Sequence, residues 1–403
     1  MSWPNVKLRE VGSFRNGLNY SSANLGSGLK VVNVADFKDR SSPDYDSLGE
    51  IDPQGVAGDS DLLQDGDILF VRSNGNRELV GRSMLIRNAP IPVSHSAFTI
   101  RLRFESRKVS PRFYSYYFRS PLFRKHLSLQ GAGTNICNLN QRILGDLELP
   151  VPTISAQNAV TDILSAYDEL MENNRRRIRL LENAIRLLYQ EWFLRLRFPG
   201  HEHTSIAHGL PRGWDKKRLN TLTSFLKRGI APHYDDEASG LVINQKCIRD
   251  GRLNMSLSRH QSREFATERQ VQVGDVLVNS TGEGTLGRVA QVKVALENCT
   301  VDTHVTIVRP KPEISIHYFG MAVMAWEPRF STMGRGATNQ TELAPAAIGE
   351  AEIVIPHKTV LKEFEEFAEP ISAQVSNLVL QNDKLRAARD LLLPRLMNEV
   401  IAV

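Results

Sequence analysis

Two loops of this chain carry side chains that can make paired hydrogen bonds. The stretch RSNGNRELVGR, residues 72–82, follows an apolar run typical of a strand, and NSTGEGTLGR, residues 279–288, follows a similar run. Arginine, asparagine and serine in glycine-containing loops suit contacts with the hydrogen-bonding edges of guanine or adenine. We therefore expect both loops to contact nucleic-acid bases, through Arg72, Ser73, Asn74, Asn76 and Arg77 in the first and Ser280 and Thr281 in the second.

A second pair of stretches has the same character. QGAGTNICN, residues 130–138, and GRGATNQTE, residues 334–342, both contain Thr-Asn and glycines that allow close backbone approach. The side chains predicted to contact bases here are Asn135, Arg335, Asn339 and Gln340. The alternative is that the recurring pairs Thr134-Asn135 and Thr338-Asn339 only form turns. Residues that differ between the matched stretches should discriminate more, because two different base sequences need different side chains.

Positive charge is concentrated in the first third of the chain. The net charge is +5, but residues 68–142 hold 13 Lys and Arg side chains against only Glu78 and Glu105. Within this segment, residues 111–127 are predicted to form a helix with its aromatic side chains in the core and Arg119, Arg124 and Lys125 toward phosphates. The alternative is that the aromatic side chains stack on the bases of a single strand. Phosphate contacts predict binding that weakens steeply with added salt.

The elements that must position these loops occur twice. Apolar residues recur at steps of three and four from Ile163 to Trp192, which indicates a helix, and the same pattern returns 204 residues later from Phe367 to Leu396. Short alternating runs upstream also match, such as GDILF at 66–70 and GDVLV at 274–278. The predicted fold class is mixed α+β, with two similar domains, two long helices and a pseudo-twofold internal repeat.

The two long helices are expected to form an antiparallel coiled-coil spacer between the domains. From Ser155 to Trp192 there are 38 residues, or about 57 Å of helix at about 1.5 Å per residue. Such a spacer suits two reading heads that contact DNA segments about one turn or more apart. Six side chains in the second half of the first helix are predicted to bind a protein partner: Arg175, Arg176, Arg179, Tyr189, Trp192 and Phe193. The alternative for the three aromatic residues is that they complete the helix seam.

Motifs of catalysis and cofactor binding are missing from the sequence. No Gly-Lys pair, Pro-Pro pair or Glu-x-Lys triplet occurs, which argues against a P-loop, an amino-methyltransferase motif and the commoner nuclease pattern. Asp36-Phe37-Lys38 and Asp215-Lys216-Lys217 leave a nuclease of the Asp-x-Lys type open. His201, His203 and His208 lie in a polar linker without a complete ligand set, so we expect no metal and no cofactor. No run of eighteen apolar residues and no signal peptide are apparent, so we expect a cytoplasmic protein without membrane contact.

The central stretch LENAIRLLYQEWF with RFPGHE, the stretch GLPRGW and the closing RDLLLPRL resemble the specificity subunits of type I restriction-modification systems. The resemblance covers the full length in layout. It implies two target-recognition domains, each followed by a spacer helix, and a subunit without activity of its own. It also implies that the subunit binds a bipartite double-stranded DNA site and joins methyltransferase subunits and translocase-nuclease subunits. The target sequence is not implied, because recognition domains vary widely within this family.

The expected boundaries follow from the repeat and the resemblance. They are target-recognition domain 1 at 1–153, spacer helix 1 at 154–197, a linker at 198–213, target-recognition domain 2 at 214–357 and spacer helix 2 at 358–403. The leading hypothesis is a non-catalytic DNA-recognition subunit. Two alternatives stay open at this point: a cryptic metal-dependent nuclease, and a coiled-coil scaffold that binds proteins but no DNA.

Overall fold

A computed structural model describes residues 3–37, 40–74, 79–130, 138–335 and 341–397 of the 403-residue chain. The chain divides into two compact units. Unit 1 comprises Met1–Glu172 and Asn382–Val403, and unit 2 comprises Asn173–Gln381. Each unit therefore takes one part of each long helix.

The described residues of unit 1 form three small sheets. Their strands are β1 Asn5–Lys7, β2 Gly12–Asn16, β3 Leu25–Val32, β4 Gly49–Ile51, β5 Ile68–Val71, β6 Ser83–Leu85, β7 Val93–His95, β8 Thr99–Phe104 and β9 Glu148–Pro150. The largest sheet is four-stranded and antiparallel, in the order β2-β8-β5-β6, and β5 is buried along its whole length because its four residues are all apolar. A three-stranded sheet has the order β4-β3-β7, with β7 parallel to β3, and β1 pairs with β9.

The helices of unit 1 cover one side of its core. They are α1 Pro111–Tyr117, α2 Pro121–Gln130, α3 Gln141–Asp146 and the first part of α4 Ile154–Tyr189. The single helix predicted over 111–127 is wrong in one respect, because it is broken between Phe118 and Ser120. Proline disfavours helical geometry at the residue before it, and Pro121 begins the second helix. The aromatic side chains of α1 lie in the core, as predicted.

Unit 2 repeats this arrangement. Its four-stranded antiparallel sheet has the order β13-β21-β18-β19, and its three-stranded sheet has the order β17-β14-β20, with β20 parallel to β14. The strands are β10 Ile206–Ala207, β11 Leu210–Pro211, β12 Asp215–Arg218, β13 Thr223–Arg228, β14 Gly240–Ile243, β15 Ile248–Arg249, β16 Arg252–Leu253, β17 Arg259–Gln261, β18 Val276–Asn279, β19 Val289–Gln291, β20 Cys299–Val301, β21 Val305–Pro310 and β22 Glu352–Ile355. The helices are the later part of α4, α5 Leu219–Leu222, α6 Ile316–Met324, α7 Glu327–Phe330, α8 Pro345–Gly349 and the first part of α9 Lys358–Met397.

The predicted mixed class and internal repeat are confirmed by the matching sheets and by matching internal bonds. In unit 1, Arg103 donates two hydrogen bonds of 2.7 Å to the buried carboxylate of Asp67. In unit 2, Arg309 donates two of 2.8 Å to the buried carboxylate of Asp275. Burial raises the pKa of Asp275, and the arginine opposes that shift. These pairs join the start of β5 to β8 in unit 1 and the start of β18 to β21 in unit 2, because a buried carboxylate needs a bonded cation.

The long helices run antiparallel within each unit. In unit 1 the beginning of α4 packs against the end of α9, where Val160 and Leu164 share a core with Leu393 and Leu396. A partly buried ion pair of 2.6 Å joins Asp168 to Arg389 in this layer. Burial alone would raise the pKa of Asp168, but Arg119 and Arg389 lower it. The carboxylate therefore stays ionised between the two guanidinium groups.

In unit 2 the order of the partners is reversed, as antiparallel packing requires. The end of α4 meets the beginning of α9, where the ring of Trp192 lies 6.1 Å from that of Phe364. Earlier in α4, Ile178 packs with Val375 and Leu378 of α9. After Tyr189 the helix continues as a π-helical turn, Gln190–Leu194. Among the described residues, no helix is long and apolar enough to cross a membrane.

Candidate nucleic-acid interface

In unit 1, the two predicted loops meet at one end of the four-stranded sheet. The amide N–H of Leu139 donates to the carbonyl oxygen of Arg72 at 2.8 Å, and Ser73 forms a β-bridge with Asn138. The N–H of Arg72 donates in turn to the carbonyl oxygen of Phe98, which directly precedes β8, at 2.8 Å. The fold thus brings together segments that lie far apart in the sequence.

The same backbone bonds recur in unit 2. The N–H of Leu343 donates to the carbonyl oxygen of Ser280 at 2.8 Å, and Thr281 forms a bridge with Glu342. The N–H of Ser280 donates to the carbonyl oxygen of His304, which directly precedes β21, at 2.8 Å. These bonds define residue equivalences between the units without any sequence alignment.

A third segment, which follows β2 in unit 1 and β13 in unit 2, lies at the same end of each four-stranded sheet. Gly17, after β2, donates to the carbonyl oxygen of Thr99, and Gly229, after β13, donates to that of Val305. A Cβ atom at Gly17 would lie 2.3 Å from the carbonyl oxygen of His95, and one at Gly229 would lie 1.8 Å from that of Val301. Only glycine fits these crossings, because real side chains do not approach backbone atoms so closely. The residues just before the glycines, Asn16 and Arg228, are therefore held beside the loops.

We define the strand-end surface of unit 1 as the four residues that these bonds place at equivalent positions: Asn16, Ser73, Phe98 and Asn138. None of the four is charged. Asn16 and Asn138 are exposed, and Phe98 has 62% of its surface accessible. An aromatic ring so exposed at a strand end offers apolar contact without a hydrogen bond.

The strand-end surface of unit 2 consists of Arg228, Thr281, His304 and Glu342, which occupy the equivalent positions. Here the residues bond one another. Arg228 forms an ion pair of 2.6 Å with Glu342, and the hydroxyl of Thr281 lies 2.7 Å from Nδ1 of His304. Both His304 and Glu342 are exposed. This surface therefore offers charge and hydrogen-bonding groups where unit 1 offers an amide, an aromatic ring and a hydroxyl.

Several of the predicted base-contacting residues lie on or beside these surfaces. Arg72, Ser73 and Asn74 are partly buried at the end of β5, Thr281 belongs to the surface of unit 2, and Arg335 is exposed and forms a backbone bridge with Glu342. Five others lie outside the described residues: Asn76, Arg77, Asn135, Asn339 and Gln340. The sequence reasoning did not select Asn16, Phe98, Arg228 or His304. No local pattern marks them, because they reach the surfaces through bonds to segments distant in the chain.

Ser280, which was predicted to contact bases, has a buried side chain. It is 0% exposed, and its hydroxyl lies 2.6 Å from that of Thr306. Its side chain points into the sheet because it continues the alternation of β18, in which successive residues face opposite sides. Thr281, the next residue, carries the exposed hydroxyl of this loop.

The predicted partner-binding residues of α4 separate into two groups. Arg175, Arg176 and Arg179 are exposed. Tyr189, Trp192 and Phe193 are between 5% and 7% exposed and belong to the core of unit 2. Their rings contact Phe364, Tyr318 and Trp214 and complete the core of unit 2, so these three side chains are not exposed to a partner as predicted.

The aspartates of the alternative nuclease hypothesis have structural surroundings. Asp36 accepts a hydrogen bond of 2.7 Å from the N–H of Asn33 and so closes a local turn. Asp215 is exposed on β12, paired with Ile355 of β22. Among the residues that the structure describes, no group of three or more His, Cys, Asp or Glu side chains is arranged to hold a metal ion.

Comparison with known proteins shows what this chain is similar to. Residues 2–183 match the family described as Type I restriction modification DNA specificity domain. The chain is 22% identical over 299 residues to the type I restriction enzyme MjaIX specificity subunit of Methanocaldococcus jannaschii, covering 70% of this chain and 68% of that protein. It is 21% identical over 423 residues to the EcoBI specificity subunit of Escherichia coli, covering 95% of this chain and 84% of that protein.

A solved structure shares the fold. The crystal structure of the type I restriction-modification S subunit from M. genitalium superposes with a TM-score of 0.57 at 15% identity, covering 98% of this chain and 96% of that one. These comparisons show that residues 2–183 carry a type I restriction modification DNA specificity domain and that the chain is similar over most of its length to specificity subunits of type I restriction enzymes.

Proposed function

We propose that this chain is a specificity subunit, each unit of which contacts one segment of a bipartite double-stranded DNA site through its strand-end surface. The observation that carries the proposal is the equivalence of the two surfaces. The same backbone bonds hold them, yet all four equivalent positions carry different side chains. Two DNA segments of different sequence need different side chains at equivalent exposed positions, so this difference supports a separate target segment for each unit.

The proposed domains follow the two globular parts of the repeat. Target-recognition domain 1 is assigned to 1–153 and target-recognition domain 2 to 214–357, with spacer helices at 154–197 and 358–403 and a linker at 198–213. Exposed basic side chains near the strand ends, such as Lys227 beside Arg228 in unit 2, would supply contacts with phosphates, which position a protein on the duplex but do not read its sequence. Affinity should therefore fall steeply with salt while the preferred sequence stays the same.

The subunit itself is proposed to be non-catalytic. Its partners are proposed to be the methyltransferase subunits and the translocase-nuclease subunits of a type I complex, with Arg175, Arg176 and Arg179 of α4 as part of a protein-binding surface. Support comes from the exposure of these arginines and from the names of the relatives, which are specificity subunits of restriction enzymes. The buried aromatic residues of α4 are left out of this surface.

The test is to co-express the chain with the methyltransferase of its own operon, purify the complex and map the modified adenines on a randomised DNA library. We expect two short specific segments separated by a gap of fixed length. A single continuous core would contradict the bipartite proposal. The purified chain with magnesium should leave DNA intact; cleavage that Asp36→Ala or Asp215→Ala abolishes would favour the nuclease alternative.

A further inference from the structure

Phe98 and His304 occupy the same framework position in the two units. Phe98 directly precedes β8, and His304 directly precedes β21. The carbonyl oxygen of Phe98 accepts a 2.8 Å hydrogen bond from the N–H of Arg72 after β5, and that of His304 accepts one of 2.8 Å from the N–H of Ser280 after β18. Both side chains are exposed. Their backbones are fixed by equivalent bonds, so any difference in what the two positions bind comes from the side chains alone.

The two side chains offer opposite kinds of contact. Phe98 has no hydrogen-bonding atom, and 62% of its surface is accessible although such rings are usually buried. In unit 2, Nδ1 of His304 is engaged by the hydroxyl of Thr281 at 2.7 Å. When that hydroxyl donates to Nδ1, the ring proton is on Nε2, which becomes an outward hydrogen-bond donor. In that arrangement Thr281 holds the orientation of the ring and leaves the donor on Nε2.

We infer that this position determines half-site specificity: Phe98 contacts the 5-methyl group of a thymine in one segment of the site, and His304 donates from Nε2 to N7 of a purine in the other. The major groove presents both features at its edge, the methyl group only on thymine and the N7 acceptor only on purines. The inference rests on the proposed function and adds to it the chemical group that each unit recognises.

The neighbouring residues agree with this division. Around Phe98, the strand-end surface holds the neutral side chains Asn16 and Asn138, so no charge needs to be desolvated when an apolar methyl group approaches. Around His304, the charges of Arg228 and Glu342 are joined in an ion pair of 2.6 Å, and the exposed imidazole adds a neutral hydrogen-bonding group beside them. The same backbone thus presents an apolar contact in one unit and a polar contact in the other.

The experiment exchanges the two residues in the full chain, assembled with its methyltransferase. We expect Phe98→His to change the preferred base at one position of one segment only, and His304→Phe to change one position of the other segment only. Discrimination at the affected position should fall by about five- to tenfold, at the low end of the cost of one mismatched base pair. Both residues are exposed, so neither exchange disturbs a core.

Base analogues identify the contacted group. Uracil in place of thymine removes the methyl group, and 7-deazapurine in place of purine removes N7. The intact protein should lose affinity about five- to tenfold with each analogue at the mapped position, whereas Phe98→Ala should be insensitive to uracil and His304→Ala insensitive to 7-deazapurine. Leu25→Ala, another strongly exposed apolar residue of unit 1, and His357→Phe, an exposed histidine that also bonds a threonine hydroxyl, are the controls and should leave every base preference unchanged.

The possible outcomes separate this inference from the proposed function. If methylation maps to a bipartite site and both exchanges leave all base preferences unchanged, the inference is wrong and the bipartite proposal stands. If the exchanges alter preferences but the analogues have no effect, the assigned chemical groups are wrong. If no bipartite site is found, the proposed function itself fails.

Discussion

The two units differ where they face outward and also in the interior. In unit 1, β7 ends with His95, whose Nδ1 lies 2.9 Å from the hydroxyl of Thr99 in the interior. The equivalent positions in unit 2 are Val301 and Val305, which are buried among other apolar residues. The comparison teaches that a duplicated framework tolerates new side chains wherever the backbone bonds do not depend on them.

What the units share is the internal support. In each unit an arginine bonds the buried carboxylate at the start of the neighbouring strand, Arg103 with Asp67 and Arg309 with Asp275. In each unit a tyrosine hydroxyl also donates to a backbone carbonyl oxygen just before the long helix, from Tyr114 to Pro150 and from Tyr318 to Val354. These groups are buried, and a buried polar group without its partner is costly. Retention of the pairs in both units therefore has a physical reason that exposed positions lack.

The largest effect is expected from breaking the shared ion pair in unit 2. Arg309→Met leaves the carboxylate of Asp275, which is 1% exposed, without its cation, and should destabilise unit 2 by about 3–5 kcal/mol. Arg103→Met should destabilise unit 1 by less, because the arginine side chain is 25% exposed there against 13% for Arg309 and water can enter the vacated space. Hydrogen exchange followed by mass spectrometry reports each unit separately, through peptides covering β5 and β18. Equal losses would show that burial of the cation does not set the cost.

A pH-dependent difference between the units is expected next. Burial lowers the pKa of His95 from 6.5 to about 3, with Arg101 adding to the shift. Between these values the unfolded chain binds a proton that the folded unit 1 does not, so the stability present above pH 6.5 is lost as the pH falls. The loss from this group is about 2 kcal/mol at pH 5, at about 1.4 kcal/mol per unit of pH.

The variant His95→Val gives unit 1 the residue found in unit 2 and should remove this pH dependence. The hydroxyl of Thr99 keeps a partner, because it also donates to the carbonyl oxygen of Ser96 at 2.8 Å. Hydrogen exchange of unit 1 peptides at pH 7 and pH 5 measures the effect. If the variant and the original chain lose stability equally between the two pH values, His95 is not the group responsible.

The smallest effect, and the one that should be the same in both units, concerns the tyrosine hydroxyls. Tyr114→Phe and Tyr318→Phe each leave a backbone carbonyl without its donor and should cost about 1 kcal/mol, each in its own unit. Tyr234→Phe alters a ring that is 41% exposed and is the control without effect. Chemical denaturation monitored by unit-specific hydrogen exchange checks this. A loss in only one unit would mean that the two bonds are not equivalent.

Much of the fold was accessible from the sequence because helices and repeats leave periodic patterns. The long helices and the duplicated sheets follow from apolar spacing and from matched stretches such as RSNGNRELVGR and NSTGEGTLGR, in which Gly81 and Gly287 have similar φ angles of 80° and 76°. The break between α1 and α2 was missed although Pro121 marks it. The roles of Tyr189, Trp192 and Phe193 could not be decided, because a helix pattern does not say whether an aromatic face meets its own domain or another protein.

The candidate surfaces were accessible only in part. Loops rich in Arg, Ser and Asn could be located by composition, but the pattern could not show that Ser280 faces inward while Thr281 faces outward. Phe98 and His304 have ordinary sequence surroundings. They become equivalent only through bonds to Arg72 and Ser280, which lie 26 and 24 residues away in the chain.

The sequence by itself determined that this protein is a duplicated α+β chain with two long helices, since periodicity and repetition are local properties that need no partner. Only the tertiary structure decided which side chains stand together at the strand ends and which are enclosed. That outcome depends on hydrogen bonds and packing between segments distant in the chain, and no local pattern records them.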